Sequence, residues 1–192
     1  MEDKKVDRRS LKTQRQIKEA LCELLTIKEL RHITIQEISD KADIHRVTFY
    51  KHYYDIYNLY DVLVEDIFSQ LEVLIQHFHE NPSYEFGAEV IGFIEDNPKI
   101  FKMIFSPFNT GELKQKFSSM IEGGFRYIQT NKKGVDFSSD RLDYLSACWA
   151  SICIGVIEKW VKNDFAQSKD FINNTLIELD KYFEQSMSKA TT

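Results

Sequence analysis

Apolar residues in this chain recur three and four positions apart in segment after segment, and no stretch alternates apolar and polar residues long enough for a strand. A half-buried strand needs a period of two, whereas one face of a helix needs 3.6. The pattern therefore confines the chain to an all-α fold of about nine helices. The first helix runs from about Ser10 to Leu25, with Leu11, Ile17, Ala20, Leu21, Leu24 and Leu25 on one face. Later helices fall at about Tyr84–Glu95, Pro98–Phe105, Glu112–Thr130, Asp140–Lys162 and Ser168–Met187.

Between residues 34 and 80 the punctuation is informative. Thr34 followed by Glu37 is a T-x-x-E capping box that starts a short helix with Ile38 and Ala42 turned inward. It ends near Ala42-Asp43-Ile44, where Asp43 tolerates a left-handed turn better than most non-glycine residues. A second short helix, about His45 to His52, follows at once. Asp55 is then an N-cap for a long helix through Leu59, Leu63, Ile67, Leu71, Leu74 and Phe78, broken at Pro82. A functional boundary is placed at 55/56, giving modules 1–55 and 56–192, with the long helix starting beside the first and running into the second.

Two short helices joined by a tight turn and buttressed by a longer one make a helix-turn-helix. In "KADIHRVTFYKHY", Ala42, Ile44, Phe49 and Tyr53 follow the inward pattern, against Leu21, Leu24, Ile35 and Ile38. That leaves His45, Arg46, Val47, Thr48, Tyr50, Lys51 and His52 outside. The set suits a duplex groove: Arg46 and Lys51 can neutralise phosphates or reach guanine edges, Thr48 and Tyr50 can donate to phosphates, and Val47 can meet a thymine methyl. Charge agrees. The overall −5 divides into +3 over residues 1–53, with 12 Lys/Arg against 9 Asp/Glu, and −8 over the rest. A basic front end meets an anion; an acidic body does not. The leading arm, with Lys4, Lys5, Arg8, Arg9, Lys12 and Arg15, reads either as a solvated tail or as an added phosphate or minor-groove contact.

The stretch "TQRQIKEALCELL…ITIQEISDKADIHRVTFYKHYYDIYNL" resembles the N-terminal DNA-binding domain of the TetR/AcrR transcriptional regulators, over residues 10–64. The resemblance implies an N-terminal three-helix helix-turn-helix DNA-binding domain and a C-terminal helical ligand-binding and dimerisation domain. It implies DNA contacts from Thr34 and Gln36 at the start of the second helix, from His45, Arg46, Val47, Thr48, Tyr50 and Lys51, and from Tyr54. Three positions depart from the family pattern: Asp43 stands where Gly is usual, His45-Arg46 where a small polar residue and Lys are common, and Ile56 where a Lys often meets phosphate.

One such monomer reads few base pairs, so a homodimer on a palindromic operator in double-stranded DNA is expected. On the helix from Asp140, the residues Leu145, Trp149, Ile152, Val156 and Trp160 form an apolar band, and Ala147, Ser151 and Gly155 a shallow stripe. On the last helix the band is Phe171, Leu176, Leu179 and Phe183. A four-helix seam between two chains would use Ala147, Ser151, Gly155, Trp160, Phe171, Leu176, Leu179 and Phe183; packing within one chain is the other reading. Residues 84–130 are rich in aromatics and Met, which read as plain core or as a cavity for a small apolar or amphipathic ligand. The resemblance implies the cavity, with Phe93, Phe101, Phe105, Phe117, Met120 and Trp149 as its candidate lining. "CWASICIGVIEKWVKNDF" resembles, more weakly, a subgroup that includes activators of dihydroxyacetone kinase operons.

The remaining classes are poorly supported by the sequence. No phosphate-loop, dinucleotide, nucleophile-elbow or zincin motif is present; Glu29/His32 is a single E-x-x-H where a di-iron bundle uses two with further carboxylates, and His77/His79, two apart, point to opposite sides of a helix. No catalytic residue, cofactor or metal is expected. Cys22, Cys148 and Cys153 lack a C-x-x-C spacing and read as buried thiols in a reducing compartment. With a polar N-terminus and no bilayer-length apolar run, they suggest the cytoplasm and no membrane. Three readings follow: a ligand-released dimeric repressor, a regulator or activator switched by a protein partner, and a small helical enzyme.

Overall fold

A computed structural model describes residues 8–80, 85–131 and 139–189. Among the described residues there are nine α-helices, one 3₁₀ turn at Leu30–His32 and no strand. The helices are α1 (Arg8–Leu25), α2 (Ile35–Lys41), α3 (Arg46–Tyr50), α4 (Ile56–Glu80), α5 (Glu85–Asp96), α6 (Pro98–Ile104), α7 (Glu112–Asn131), α8 (Ser139–Lys162) and α9 (Lys169–Lys189). Lys4 and Lys5 of the leading arm lie outside the described residues, as do the side chains of Phe78 and Phe86.

The chain forms two compact units, Met1–Phe68 with Lys99–Gly111, and Ser69–Pro98 with Glu112–Thr192. This partition differs from the functional boundary at 55/56 for two physical reasons. The first half of α4, from Ile56 to Phe68, belongs to the first unit and buries Leu59, Leu63, Ile67 and Phe68 there. Residues 99–111 then add buried Phe101, Met103, Ile104 and Phe105 to the first unit. The Lys99 ammonium donates to Glu19 at 2.7 Å and pairs with Glu23 at 2.9 Å. Lys41 of α2 reaches the same Glu23 at 2.7 Å, and the two lysines hold its carboxyl below the usual range. Ser106 donates its hydroxyl to the Leu25 carbonyl at 2.9 Å, satisfying one of the acceptors that a helix end leaves open.

Within this unit the local signals act as their chemistry requires. The Thr34 hydroxyl accepts from Glu37 N–H at 3.2 Å while the Glu37 carboxylate accepts from Thr34 N–H at 2.9 Å, closing the capping box. Helix α2 stops at a left-handed residue, Asp43, with φ 52°. Ile44 N–H returns to Ser39 C=O at 3.0 Å and Asp43 N–H to Asp40 C=O at 3.3 Å, which is a Schellman turn built without glycine. Asp55 caps α4 by accepting from Asn58 N–H at 2.8 Å.

In the second unit, α7 packs along α8, and α9 packs on both α5 and α8. By length and composition α8 could cross a membrane. Along it Ser146, Ala150, Cys153, Ile157, Trp160 and Val161 are buried while Asp143 and Lys159 are exposed. It ends in a second Schellman turn, Phe165 N–H returning to Trp160 C=O at 3.0 Å, with the Phe165 ring edge-on to Trp160 at 4.9 Å. The expectation of three buried thiols is corrected here. Burial pushes Cys22 and Cys153 up to about 12, but Cys148 is exposed, because it lies on the outer side of α8.

Candidate functional site

The outward flank of α3 is assembled from its inner one. Phe49 is fully buried, with Tyr53 beside it at 5.8 Å between ring centroids, and these two fix the rotation of a helix only five residues long. With 49 and 53 inside, helical spacing turns 47, 50 and 51 outward, and Arg46, at the first turn of α3, is exposed although it shares the side of Phe49. His45, Arg46, Val47, Tyr50 and Lys51 are exposed, and Thr48 is half-buried. Val47, at 70% exposure, is an apolar side chain that the other described residues leave uncovered. Thr34, Gln36 and Tyr54 are exposed as well.

His52 is the exception. It is half-buried, its ring nitrogen 3.4 Å from Gln14 Nε2 on α1, because the turn after Tyr50 swings it back toward the bundle. Thr34 is exposed but its hydroxyl donates to Glu37 at 2.9 Å, so its proton serves the cap. Two features escaped the sequence reading. Arg46 donates to the Tyr50 hydroxyl at 3.1 Å and lies 5.6 Å from the centre of that ring, which holds the guanidinium extended along the helix. The i,i+4 spacing of Arg and Tyr was the available signal. Tyr57, 59% exposed on the first turn of α4, adds another aromatic hydroxyl near Tyr54 in sequence.

The second unit holds a cavity of about 490 Å³, within the range of small-molecule sites. Phe117, Met120 and Trp149 line it, as the sequence reading placed them. Phe101 and Phe105 do not: both are buried in the first unit, to which residues 99–111 belong. Phe93 is not among the lining residues either. Three residues assigned to the dimer seam make contacts within the second unit. Trp160 is buried and donates its indole N–H to the Gln167 carbonyl at 2.8 Å. Leu176 lines the cavity. Phe183 closes a ring cluster with Trp149 at 5.6 Å and Phe125 at 5.9 Å. Ala147, Ser151, Gly155 and Phe171 are exposed and Leu179 is half-buried.

The cavity wall is chiefly apolar, with Gln129, Asn131, Asn173, Asp180 and Glu184 as its polar members. Sequence reasoning missed these, although polar residues among apolar ones on one helical face were a signal. After desolvation, the Asp180 charge is the next cause that pushes up the Cys153 thiol in the same wall. Among the described residues no group of three His, Cys, Asp or Glu side chains could hold a metal ion.

Residues 80–182 match a TetR family described as "Transcriptional regulator C-terminal region". The chain is 23% identical over 175 residues to the uncharacterized HTH-type transcriptional regulator YxbF of Bacillus subtilis (strain 168), covering 85% of this chain and 43% of that protein. It thus spans less than half the length of that curated relative. Among solved structures, a transcriptional regulator of the TerR/AcrR family from Aquifex aeolicus VF5 aligns with TM-score 0.64 at 16% identity, covering 88% of this chain and 98% of that one. NalD, the secondary repressor of the MexAB-OprM multidrug efflux pump in Pseudomonas aeruginosa, aligns with TM-score 0.60 at 16% identity over 90% and 95%. The dihydroxyacetone kinase operon activator DhaS aligns with TM-score 0.58 at 18% identity over 87% and 93%. At these identities the likenesses show the fold.

Proposed function

This chain belongs to the TetR family of transcriptional regulators, and from that membership we propose that it binds a palindromic operator as a homodimer and leaves it when a small ligand fills the cavity. One observation carries the DNA reading: α3 exposes Arg46, Val47, Tyr50 and Lys51 while Phe49 anchors its other side. A helix fixed in this way presents cations to phosphates and an apolar tip to a thymine methyl without unfolding its own core. Gln36, His45, Thr48 and Tyr54 extend the contact surface on either side, and Thr34 contributes by capping α2.

Dimerisation through the outer face of α8 is supported by Ala147, Ser151 and Gly155, which are exposed and small, with Tyr144 at 77% exposure beside them. A Cβ built on Gly155 meets no atom within 4 Å, as expected of a face left for a second chain. Phe171, 58% exposed, and Leu179 supply apolar area on α9. Helix α4 belongs to both compact units, so a ligand that favours one setting of the second unit can alter the spacing of the two recognition helices in a dimer. A soluble regulator acting on DNA in the cytoplasm fits this reading. A second reading is a regulator or activator switched by a protein partner, DhaS being named an operon activator; repeating the DNA assay across a metabolite panel separates them.

The test is a shift assay with the region upstream of the chain's own gene, repeated over a range of salt concentrations. Arg46→Ala or Lys51→Ala should flatten the log–log salt dependence by about 0.9 for each phosphate no longer neutralised, hence about 1.8 in a dimer. Both side chains are exposed, so melting temperature should hold. Unchanged affinity and slope in both variants, or an equal loss of stability, would overturn the reading.

A further inference from the structure

Gln129 of α7, at 3% exposure, turns a buried amide to the cavity of the second unit. That amide has two N–H donors and an acceptor oxygen, and among the described residues it forms no side-chain hydrogen bond. Its neighbours on the helix are satisfied: Thr130 donates its hydroxyl to the Arg126 carbonyl and Asn131 its amide to the Tyr127 carbonyl, each at 2.8 Å. Among the described residues, the buried polar side-chain atoms that are both sealed and unpartnered are Ser39 Oγ and Asn173 Oδ1, so the Gln129 amide keeps its surface on the cavity. Buried donors and acceptors are nearly always paired, and a pair left open at a cavity is a place for a ligand group. Phe117, Ile121 and Phe125 precede Gln129 at four-residue steps, so the amide ends an apolar row along one helical side. The Trp149 ring of α8 lies beside that row, 6.0 Å from Phe125 between ring centres.

We propose that the cavity takes an uncharged ligand with a ring-bearing apolar body and a carboxamide or lactam group, the body against Phe117, Phe125 and Trp149 and the polar group paired with the Gln129 amide. This rests on the ligand-responsive reading above and names the class of ligand. A carboxamide or lactam offers a donor and an acceptor side by side, as the Gln129 amide does, so two hydrogen bonds close at once. A charged ligand does not match. The described lining has no Lys, Arg or His to receive an anion, and Asp180 and Glu184 already take part in interactions of their own. Moving an ion from water to a chiefly apolar wall without a partner costs far more than placing an amide there. A hydrocarbon fits the rings but leaves Gln129 open.

The experiment is equilibrium dialysis of the full chain at pH 7 against four probes sharing one ring system: 1-naphthylacetamide, 1-naphthylacetate, 2-(1-naphthyl)ethylammonium and 1-ethylnaphthalene. The carboxamide should bind at least about tenfold more tightly than either ion. Gln129→Leu should weaken the carboxamide about tenfold while ethylnaphthalene stays within about twofold or binds more tightly, since the hydrocarbon never used the amide. The same variant should melt at the wild-type temperature or above, because an apolar side chain of similar size replaces an unpaired buried amide. An ion that binds as tightly as the carboxamide overturns the ligand class and leaves the ligand-responsive reading standing. A Gln129→Leu protein that keeps its carboxamide affinity overturns the pairing. One that melts well below the wild type, or does not fold, overturns it too, because the amide is then bonded within the fold. Binding of none of the four overturns the cavity as a ligand site and this inference with it. The DNA-binding reading stands separately on its shift assay.

Discussion

Replacing Ser39 with Ala should make the protein more stable. Ser39 lies on α2 at 1% exposure, and its hydroxyl oxygen is buried with no hydrogen-bond partner. Folding therefore strips water from a polar group and returns nothing, at about 1–3 kcal/mol for an unsatisfied buried donor or acceptor. Ala removes the hydroxyl, keeps the Cβ and is the better helix former by about 0.5 kcal/mol. Allowing for the small void left behind, the expected gain is about 1–2 kcal/mol. For a chain of this size that raises the melting temperature by about 3–6 °C. Ser146 supplies the matched control. It is equally buried, at 0% exposure, but its hydroxyl donates to the Leu142 carbonyl, so Ser146→Ala should be neutral or cost up to about 1 kcal/mol. Urea and thermal melts followed by far-ultraviolet circular dichroism read both changes. A loss of about 1 kcal/mol or more in Ser39→Ala would refute the reasoning, showing that the hydroxyl is bound in solution, as by a trapped water.

Two further outcomes follow from the same unit. Asp43 holds φ 52°, so Asp43→Gly should stabilise slightly, by about 0.5 kcal/mol once the flexibility of unfolded glycine is subtracted; Asp43→Val should cost about 2 kcal/mol and weaken DNA binding, and equal melts for both would remove the argument from the turn. The Lys28 ammonium, and then Thr34, holds the Glu37 carboxyl down to about 2 from an ordinary 4.5. A depressed carboxyl stabilises above its unfolded pKa, and that contribution is lost as pH falls from about 4.5 toward about 2. Glu37→Gln should therefore flatten urea-melt stability against pH in that window; parallel profiles for the two proteins would count against the pairing.

The parts of this fold that could be read from the sequence are those whose cause is local. Thr34 and Glu37 are three residues apart and close their box without help from the rest of the chain. Asp43 sits where the turn must reverse, and Pro98 begins its helix as its fixed φ allows. Phe49 and Tyr53 were placed inside by spacing alone, and both are buried. What failed depends on distant partners. Phe101 and Phe105 have the spacing of any buried helix face, and nothing within α6 says which core they enter. Trp160 has the spacing of a seam residue yet is buried in its own unit, because an apolar stripe looks the same whether its partner is a second chain or the next helix. The polar side of the cavity was overlooked for the opposite reason. Asn173, Asp180 and Glu184 look solvated one at a time, and only folding brings them to one wall.

The segment from Lys99 to Gly111 carries a consequence for how this protein could be divided. A fragment cut after Phe68 would keep every residue proposed to touch DNA, yet lose the buried Phe101 and Phe105, the lysine that bridges Glu19 and Glu23, and the serine that closes the end of α1. Such a reading head would be expected to aggregate or melt early. Grafting it onto another sensor would have to carry along thirteen residues from the middle of the donor, counted from Lys99 to Gly111.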